Sequence, residues 1–342
     1  MDCGTKTMTI VITGANGFAG AALCRYFYAL GHEIIATGRQ LTPHPALLSY
    51  AKYVPGDITK PIEEFKADAC IHVAGLASDN SDYGSLFLNN VTGTKNVIDA
   101  AKNCRTLIFI SSSSVYNFCE KPAVEADAVL NAPISDYGKT KLLAEKLIEE
   151  NIPSYQTRLI LRPRAIYGIG DRILLPRLLN LIKGKIVFCP VPNEVLTSAI
   201  SINNLAYAIE LYLNRADKPA LLCLNIGDHH VYKLKDMILK MLEAIEGPNL
   251  KVINISSLAL KILPVIASKT SMIRQLTPVA INAMKQNSVL DLTNINNTLN
   301  YKPAYTFDNS YKEIGGWLHY IGGKKIYLQN LKNVPWMLKN LH

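Results

Sequence analysis

The feature that most limits what this chain can become lies near its amino end. Met8-Thr9-Ile10-Val11-Ile12-Thr13 is a compact β-branched run, and Ala21-Ala22-Leu23-Cys24-Arg25-Tyr26-Phe27 has helical spacing. Between them stands Gly14-Ala15-Asn16-Gly17-Phe18-Ala19-Gly20, a G-x-x-G-x-x-G turn. Gly31-His32 closes the helix and Glu33-Ile34-Ile35-Ala36-Thr37 reads as a second strand, which completes a βαβ unit of about thirty residues. Glycines at such a junction let backbone approach a pyrophosphate, while the helix N-terminus offers N–H groups and a positive dipole. A ligand-free glycine turn in an unrelated α/β protein is the bland alternative, and the position at the first strand-to-helix junction favours the dinucleotide reading.

Alternation continues through Ala69-Cys70-Ile71-His72-Val73-Ala74, a helix around Thr94 to Lys102, Thr106-Leu107-Ile108-Phe109-Ile110, a helix from Tyr137 to Glu150, and a strand from Tyr155 to Leu161. Apolar strands between amphipathic helices imply a parallel sheet covered on both faces. The expected fold is therefore α/β, a doubly wound parallel sheet of Rossmann type over residues 8–165, with a smaller C-terminal α/β substrate lobe over 166–321. That lobe is read as helices at Leu174–Lys183, Asn203–Leu213, Leu234–Ile245 and Ser310–Tyr320, with a strand at Leu222–Ile226. Residues 322–342 form a tail that mixes Lys324, Lys325, Lys332 and Lys339 with Tyr327 and Trp336. It could rest on an anionic membrane surface or dock on its own chain.

Composition closes off several function classes. The seven cysteines are scattered without a C-x-x-C pair, so neither a zinc site nor a disulfide framework is expected, and a reducing cytoplasm suits them. No metal is expected. The first residues lack the basic-then-apolar layout of a secretory signal, and no run of 18 apolar residues suggests a spanning helix; the nearest, Leu258 to Ala267, is short and carries Lys261 and Pro264. The formal charge of +9, from 36 Lys and Arg against 27 Asp and Glu, comes without any nucleic-acid motif, so no nucleic-acid partner is expected.

Tyr137-Gly138-Lys139-Thr140-Lys141 sets a phenol and an ammonium four apart on one helical face. A phenol with a pKa near 10 is a poor base at neutral pH, and a neighbouring cation stabilises its phenolate. Such a tyrosine can exchange a proton with a substrate oxygen while hydride passes to or from a nicotinamide. By spacing alone, an exposed Tyr and Lys on a helix surface would serve equally well.

Taken with the glycine turn, these motifs resemble the extended branch of the short-chain dehydrogenase/reductase superfamily, the epimerase/dehydratase-like enzymes. The resemblance runs through Thr13 to Gly20, Gly56-Asp57, His72-Val73-Ala74-Gly75, Asn90-Val91-Thr92-Gly93-Thr94, Ser111 to Tyr116, Tyr137 to Lys141 and Leu161-Arg162-Pro163. It implies a catalytic set of Ser112, Tyr137 and Lys141, with Ser111, Ser113 and Ser114 as rivals to Ser112. It further implies a cofactor site of Gly14, Gly17, Phe18, Ala19, Gly20, Arg39, Asp57, Ile58, Ala74, Gly75, Asn90 and Pro163 around Tyr137 and Lys141. The second strand ends Thr37-Gly38-Arg39 with no acid, and Arg39 favours NADP over NAD. Asp57 could accept from an adenine amino group or simply cap a turn.

The substrate is less defined. Sugar dehydratases that resemble this segment carry an Asp-Glu pair where this chain has Ser113-Ser114, which argues against dehydration. Arg162-Pro163-Arg164-Ala165-Ile166-Tyr167-Gly168 looks more like the 3β-hydroxysteroid dehydrogenase-like group than like sugar epimerases, and Leu276-Thr277-Pro278 to Pro303 also resembles that group, though Asn300 replaces a usual Gly. Thr197 stands where nucleotide-sugar enzymes place a phosphate-binding Arg. Ser113, Arg164 and Thr197 are the expected substrate contacts, with Asp171 a further polar candidate. Arg172, Arg177 or Arg274 could still supply a phosphate contact. A small hydrophobic hydroxy or keto compound is expected, with a nucleotide sugar as the alternative and a non-catalytic dinucleotide sensor as a third reading. The resemblance also implies a homodimer through the helix of Tyr137 and that near Thr94.

Overall fold

The computed structural model describes residues 7–77, 81–130, 135–150, 153–255 and 284–338. The readings on Leu258–Ala267, Arg274, Leu276-Thr277-Pro278 and Lys339 lie outside these residues. Strands β1 (Thr9–Thr13), β2 (Glu33–Gly38), β3 (Lys52–Pro55), β4 (Ala69–His72), β5 (Thr106–Ile110) and β6 (Thr157–Pro163) follow the expected alternation. The helices between them are α1 (Phe18–Ala29), α2 (Tyr83–Phe87), α3 (Gly93–Ala100) and α4 (Asp136–Glu149).

Short strands β7 (Ile166–Tyr167), β8 (Ile182–Lys183), β9 (Ile186–Cys189), β10 (Leu196–Thr197) and β11 (Ile200–Ser201) come next, with α5 (Leu174–Leu179) among them. Helix α6 (Ile202–Asn214), β12 (Leu221–Ile226), β13 (Tyr232–Lys233), α7 (Leu234–Glu246) and β14 (Lys251–Asn254) precede α8 (Thr293–Leu299), α9 (Phe307–Tyr320) and α10 (Gly323–Gln329).

The large sheet is parallel and seven-stranded, in the order β12-β6-β5-β4-β1-β2-β3. Period-two alternation explains its two cores. Ile10 and Ile12 of β1 join Ile71, Ile108 and Leu159 against α1 and α6, whereas Val11 joins Cys70, Leu107, Phe109 and Ile160 against α3 and α4. Chain direction across the sheet reverses between β1 and β4, where ligands of such sheets lie beyond the strands' carboxyl ends.

The expected boundary at 165 does not divide the sheet. The strand assigned to the second lobe, Leu221–Ile226, pairs along β6 from Leu221 beside Arg158 to Ile226 beside Pro163. The reason is that β6 is buried along nearly its whole length and would otherwise present an open edge. The second lobe instead packs α5, α7 and α9 around Leu178, Met241, Leu242, Trp317 and Leu318. Its first helix ends at Leu179 rather than Lys183, because Gly184, with φ of 59°, turns the chain into the β8–β9 hairpin. Asn300 takes φ of 49° at the end of α8, a conformation asparagine tolerates better than most residues, so it can stand where a glycine was expected.

The tail docks on its own chain. Tyr327 is buried and donates to the Asp171 carbonyl at 2.7 Å; Trp336 is buried beneath Arg25, which donates to the Pro335 carbonyl at 2.9 Å. The aromatic residues that could have met a membrane are thus occupied within the fold. Among the described residues no helix is long and apolar enough to cross a membrane.

Two glycines test this packing in opposite directions. A Cβ on Gly20 would lie 2.4 Å from the Gly14 carbonyl oxygen, while one on Gly316, exposed within α9, meets nothing. Gly20→Ala should cost roughly 1–3 kcal/mol through overpacking of fixed backbone. Gly316→Ala should gain about 0.5–1 kcal/mol by removing helix-interior glycine. Thermal melting of the two variants against the parent checks both signs.

Candidate active site

The glycine turn is shaped by close backbone approach. Gly14 has φ of 70°, and a Cβ on it would stand 2.9 Å from the Ala74 backbone. Gly17 caps α1 without any side-chain hydrogen bond, and no acidic residue occupies the helix's first turn, so its positive end faces the turn unscreened. Asn16 donates from Nδ2 to the Tyr53 hydroxyl at 3.2 Å, and that hydroxyl donates to the Gly38 carbonyl at 2.7 Å. Asn16 Oδ1 is buried with no partner, an acceptor aimed at nothing in the chain.

Cations flank this turn. Arg172 Nη2 reaches within 3.9 Å of the Cβ position of Gly17, and it lies close enough to Arg39 for the two charges to repel. A tight cradle, an orphaned acceptor and two guanidinium groups fit a dinucleotide with its phosphates. Sequence reasoning considered Arg172 only for a substrate phosphate; its place beside Gly17 became visible when the second lobe folded over the turn. Asp57 takes the capping alternative: its Oδ1 accepts from the backbone and hydroxyl of Thr59 at 3.1 and 2.9 Å, which hold the carboxyl below its ordinary range. Ile58 packs its side chain against Gly93 and its carbonyl accepts from Asn96 at 2.8 Å.

A buried polar chain ties this cradle to α4. Thr13 Oγ1 accepts from the backbone of Val73 and Ala74, each at 3.1 Å, and contacts His72 Nδ1 at 2.8 Å. His72 Nε2 contacts Thr94 Oγ1 at 3.1 Å, and Thr94 donates to the Asn90 carbonyl. Because Thr94's one proton goes to that carbonyl, His72 must donate from Nε2 and accept at Nδ1. Burial, reinforced by the Lys141 charge, pushes His72 down to about 3, so the neutral tautomer persists at working pH. Asn90 sits in a π-helical turn, Leu88–Thr92, of the kind that re-aims side chains at functional sites. It accepts from Leu76 N at 2.7 Å and donates to Thr140 Oγ1 at 3.1 Å, while Thr140 donates to the Tyr137 carbonyl at 2.9 Å. Its amide is therefore spent on positioning the Gly75–Leu76 loop and the catalytic helix.

Lys141 lies 4 % exposed, one turn below Tyr137 on α4. Its Nζ donates to the Ile110 carbonyl at 2.7 Å and lies 4.2 Å from the centre of the Phe109 ring. Ser112 follows two residues later; its Oγ accepts from Ser114 N and donates to Ser114 Oγ, both at 3.1 Å. Since α4 packs on the Ser113–Val115 turn, the structure gathers Ser112, Tyr137 and Lys141 at one strand end. Ser112 and Tyr137 are both half-buried, whereas Ser113 is 1 % exposed and Ser111 is tied to Glu145. Burial drives the Lys141 ammonium down to about 7, partly opposed by Glu145. A lysine poised there can hold or release a proton near neutral pH.

Beneath it, Arg162 Nη2 meets Glu145 Oε2 at 2.6 Å, with both side chains at most 5 % exposed. Arg162 also donates to the Tyr116 hydroxyl at 2.9 Å and the Glu125 carbonyl at 2.8 Å. Burial works against the charge of this guanidinium, but its bonds to Glu145 more than offset that and hold it above its ordinary range.

Comparison with known proteins agrees with this geometry. The model of the NAD dependent epimerase/dehydratase family matches residues 10–218. The chain belongs to that family. Its relatives include the 2-alkyl-3-oxoalkanoate reductase of Stenotrophomonas maltophilia, 34% identical over 183 residues that make up 50% of this chain and 54% of the relative. They also include the decarboxylating sterol-4-alpha-carboxylate 3-dehydrogenase of Saccharomyces cerevisiae, 30% identical over 52% of this chain and 57% of that protein. The chain thus spans a little over half the length of these curated relatives. In fold it is similar to the enzyme WbmG of Bordetella bronchiseptica, solved with NAD and UDP, with a TM-score of 0.73 at 19% identity over 94% of this chain and 98% of that one.

Within the family frame, two residues expected to contact substrate serve the scaffold. Thr197 is 2 % exposed; its hydroxyl donates to the Ser198 carbonyl at 2.9 Å and accepts from Ser288 at 3.0 Å. Asp171 accepts from the backbone of Ile173, Leu174 and Leu175 at the start of α5, although burial raises it to about 6. Sequence reading missed Asp228, a 1 % exposed carboxylate that gathers Tyr167 at 2.6 Å, Asn204 at 2.6 Å and Tyr232 at 3.1 Å. A lone Asp after a glycine gave no signal, because its partners come from distant segments. The Arg164 guanidinium lies 5.6 Å from the centre of the Phe118 ring.

Lys141→Met keeps the volume and removes the charge, so turnover should fall by roughly 100-fold or more, the usual scale for losing an acid–base partner. The folded pKa near 7 lies below the unfolded value of 10.5, so the unfolded chain binds more protons between those pH values and stability rises with pH across that window. Denaturant melts from pH 6.5 to 10.5 should show that rise in the parent and a shallower one in Lys141→Met.

Proposed function

We propose that this protein is a nicotinamide-dependent oxidoreductase that interconverts a hydrophobic secondary alcohol and its ketone, of 3-hydroxy or 3-oxo type. The carrying observation is the buried Lys141 seated on the Ile110 carbonyl at 2.7 Å beside Ser112 and below Tyr137. A dinucleotide held at the glycine turn would supply hydride transfer. Tyr137 delivers a proton to, or removes one from, the substrate oxygen, and Ser112 orients that oxygen. Lys141 stabilises the phenolate and, with a pKa near neutrality, passes the proton onward. Ser112's own bond to Ser114 fixes its rotamer for that task.

The substrate class rests on what the site lacks and on the relatives. Thr197's hydroxyl is consumed within the lobe, so the phosphate contact of nucleotide-sugar enzymes has no substitute at that position. The two relatives are a 2-alkyl-3-oxoalkanoate reductase and a decarboxylating sterol-4-alpha-carboxylate 3-dehydrogenase, both named for an oxygenated carbon 3 on an apolar skeleton. NADP is the preferred cofactor in this reading, because exposed Arg39 directly follows β2, where an acid would bind a ribose hydroxyl. A homodimer completes it, supported by exposed Tyr83, Phe87 and Leu88 on and beside α2, which packs on α4.

Tyr137→Phe should lower NAD(P)H-linked turnover of a long-chain 3-oxo or 3-hydroxy compound by at least 100-fold while leaving cofactor binding unchanged. Unchanged turnover would sink the catalytic reading in favour of a dinucleotide sensor. A large thermal shift with UDP, GDP or dTDP would instead favour a nucleotide-sugar 4-epimerase or 4-keto-reductase. Arg39→Ser should weaken NADPH binding about tenfold and leave NADH nearly untouched, as fluorescence titration of the two reduced cofactors would read.

A further inference from the structure

Arg172 is a half-buried guanidinium that, among the described residues, has no hydrogen bond and no ion pair. The charge that acts on it is a like one, Arg39, and burial together with that repulsion holds it below its ordinary range. The backbone on either side is nonetheless firmly held. Gly168 and Gly170, the latter at φ of 90°, bring the chain over Phe18, the first residue of α1, with their Cβ positions 3.4 and 3.7 Å from its ring. Asp171 accepts from the amides of Ile173, Leu174 and Leu175, and its own carbonyl accepts from Tyr327 at 2.7 Å. A fixed backbone beneath an unspent cationic head leaves little ordering to be done when an anion arrives.

Its position says which anion. Arg172 Nη2 lies 3.9 Å from the Cβ position of Gly17, the N-cap of α1. Arg172 also lines a cavity of about 400 Å³ that Ala77, in the loop leaving β4, lines as well. Chain direction reverses between β1 and β4, so this guanidinium stands at the place where ligands of such sheets bind. The first helix's N-terminus meets a dinucleotide's diphosphate, whereas a 2′-phosphate is read at the end of the second strand. Arg39 follows β2 and Arg172 neighbours the start of α1, so the two guanidinium groups divide the anionic groups between them rather than share one.

We propose that Arg172 is a diphosphate clamp supplied by the substrate lobe. The dinucleotide is then held at its diphosphate from two sides, by the start of α1 and by a residue that immediately precedes α5 of the second lobe. A guanidinium can donate to two phosphate oxygens at once, which makes it a better bridge than an ammonium. Cofactor binding thereby fixes the second lobe against the sheet, in addition to the grip of the tail. The proposal rests on the dinucleotide reading of the glycine turn given above; it adds which phosphate Arg172 takes and what that contact does to the second lobe.

Binding tests this without relying on turnover. NADH and NADPH are titrated by fluorescence into the parent, Arg172→Met and Arg172→Lys, with ADP, adenosine 2′-monophosphate and UDP as competitors and melting curves confirming that each protein is folded. Arg172→Met should weaken NADH, NADPH and ADP by a similar factor, roughly tenfold or more, and leave adenosine 2′-monophosphate unchanged. Arg172→Lys should recover part of the loss. Saturating NADH should slow amide hydrogen exchange in α5 of the parent and not in Arg172→Met. A loss confined to NADPH and adenosine 2′-monophosphate would place Arg172 with Arg39 at the 2′-phosphate and overturn the proposal. Loss of UDP binding with the dinucleotides unaffected, unchanged affinity throughout, or α5 exchange that responds equally in both proteins would overturn it as well. A parent that binds neither NADH nor NADPH would instead remove the dinucleotide reading beneath it.

Discussion

Burying a guanidinium and a carboxylate together beneath a parallel sheet costs several kcal/mol per ion, so their mutual attraction contributes little net stability, yet removing one partner strands the other and costs about 3–5 kcal/mol. Arg162 and Glu145 are such a pair, and much of the site depends on it. Arg162 lies near the carboxyl end of β6 and Glu145 stands one turn beyond Lys141 on α4, so the pair fixes both the height and the rotation of α4 over the sheet. The remaining donors and acceptors are satisfied by Ser111, Tyr116 and the Glu125 carbonyl. Tyr116 passes the constraint to Asn225 of β12 at 2.6 Å, and Asn225 Nδ2 holds the Ala123 carbonyl at 2.9 Å. A helix held this way has one register, and Tyr137 one position.

Lys141 depends on that register. Its ammonium has a single strong acceptor in the Ile110 carbonyl and an aromatic face in Phe109, which is less than water offers. Glu145 supplies the compensating field from the same helix, and without it burial would drive the lysine lower still. On the other side, neutral His72 keeps the chain from Thr13 to Tyr137 free of a second positive charge. Two buried titratable groups, Lys141 on α4 and His72 on β4, are thereby held in defined states: a lysine lowered to near neutrality and a histidine held uncharged.

What was legible in the sequence followed from local physics. Strand and helix periods gave the order of the large sheet's elements, and the glycine turn announced itself because Gly14 and Gly20 must lack a Cβ to let backbone pass. Tyr137 and Lys141 could be placed on one face by spacing alone. The roles that eluded sequence reasoning are those set by partners far along the chain. Asp171 and Thr197 looked like polar contacts, but each is consumed by hydrogen bonds whose other ends lie in the scaffold. Asn90, expected at the cofactor, has its amide bonded between the Leu76 loop and Thr140 of α4. β12 was misassigned to the second lobe because its sequence shows a buried strand without saying which edge it covers.

The same reasoning explains why this fold can separate chemistry from choice of substrate. In the proposed reading, proton transfer depends on groups on β1, β4, β5, β6 and α4, whose polar atoms are closed into chains of mutual hydrogen bonds. The second lobe reaches that machinery through a few side chains that are not so closed: Arg172 near Gly17, and Arg164 above Phe118. The tail then binds the lobes together, with Arg25 gripping the Pro335 carbonyl and Tyr327 the Asp171 carbonyl. Fixing the lobes at both ends of the cleft keeps these two guanidinium groups at set positions relative to the sheet. A change of one such residue alters what can bind without disturbing Arg162, Glu145 or Lys141, whereas a change within the closed chains disturbs every partner at once.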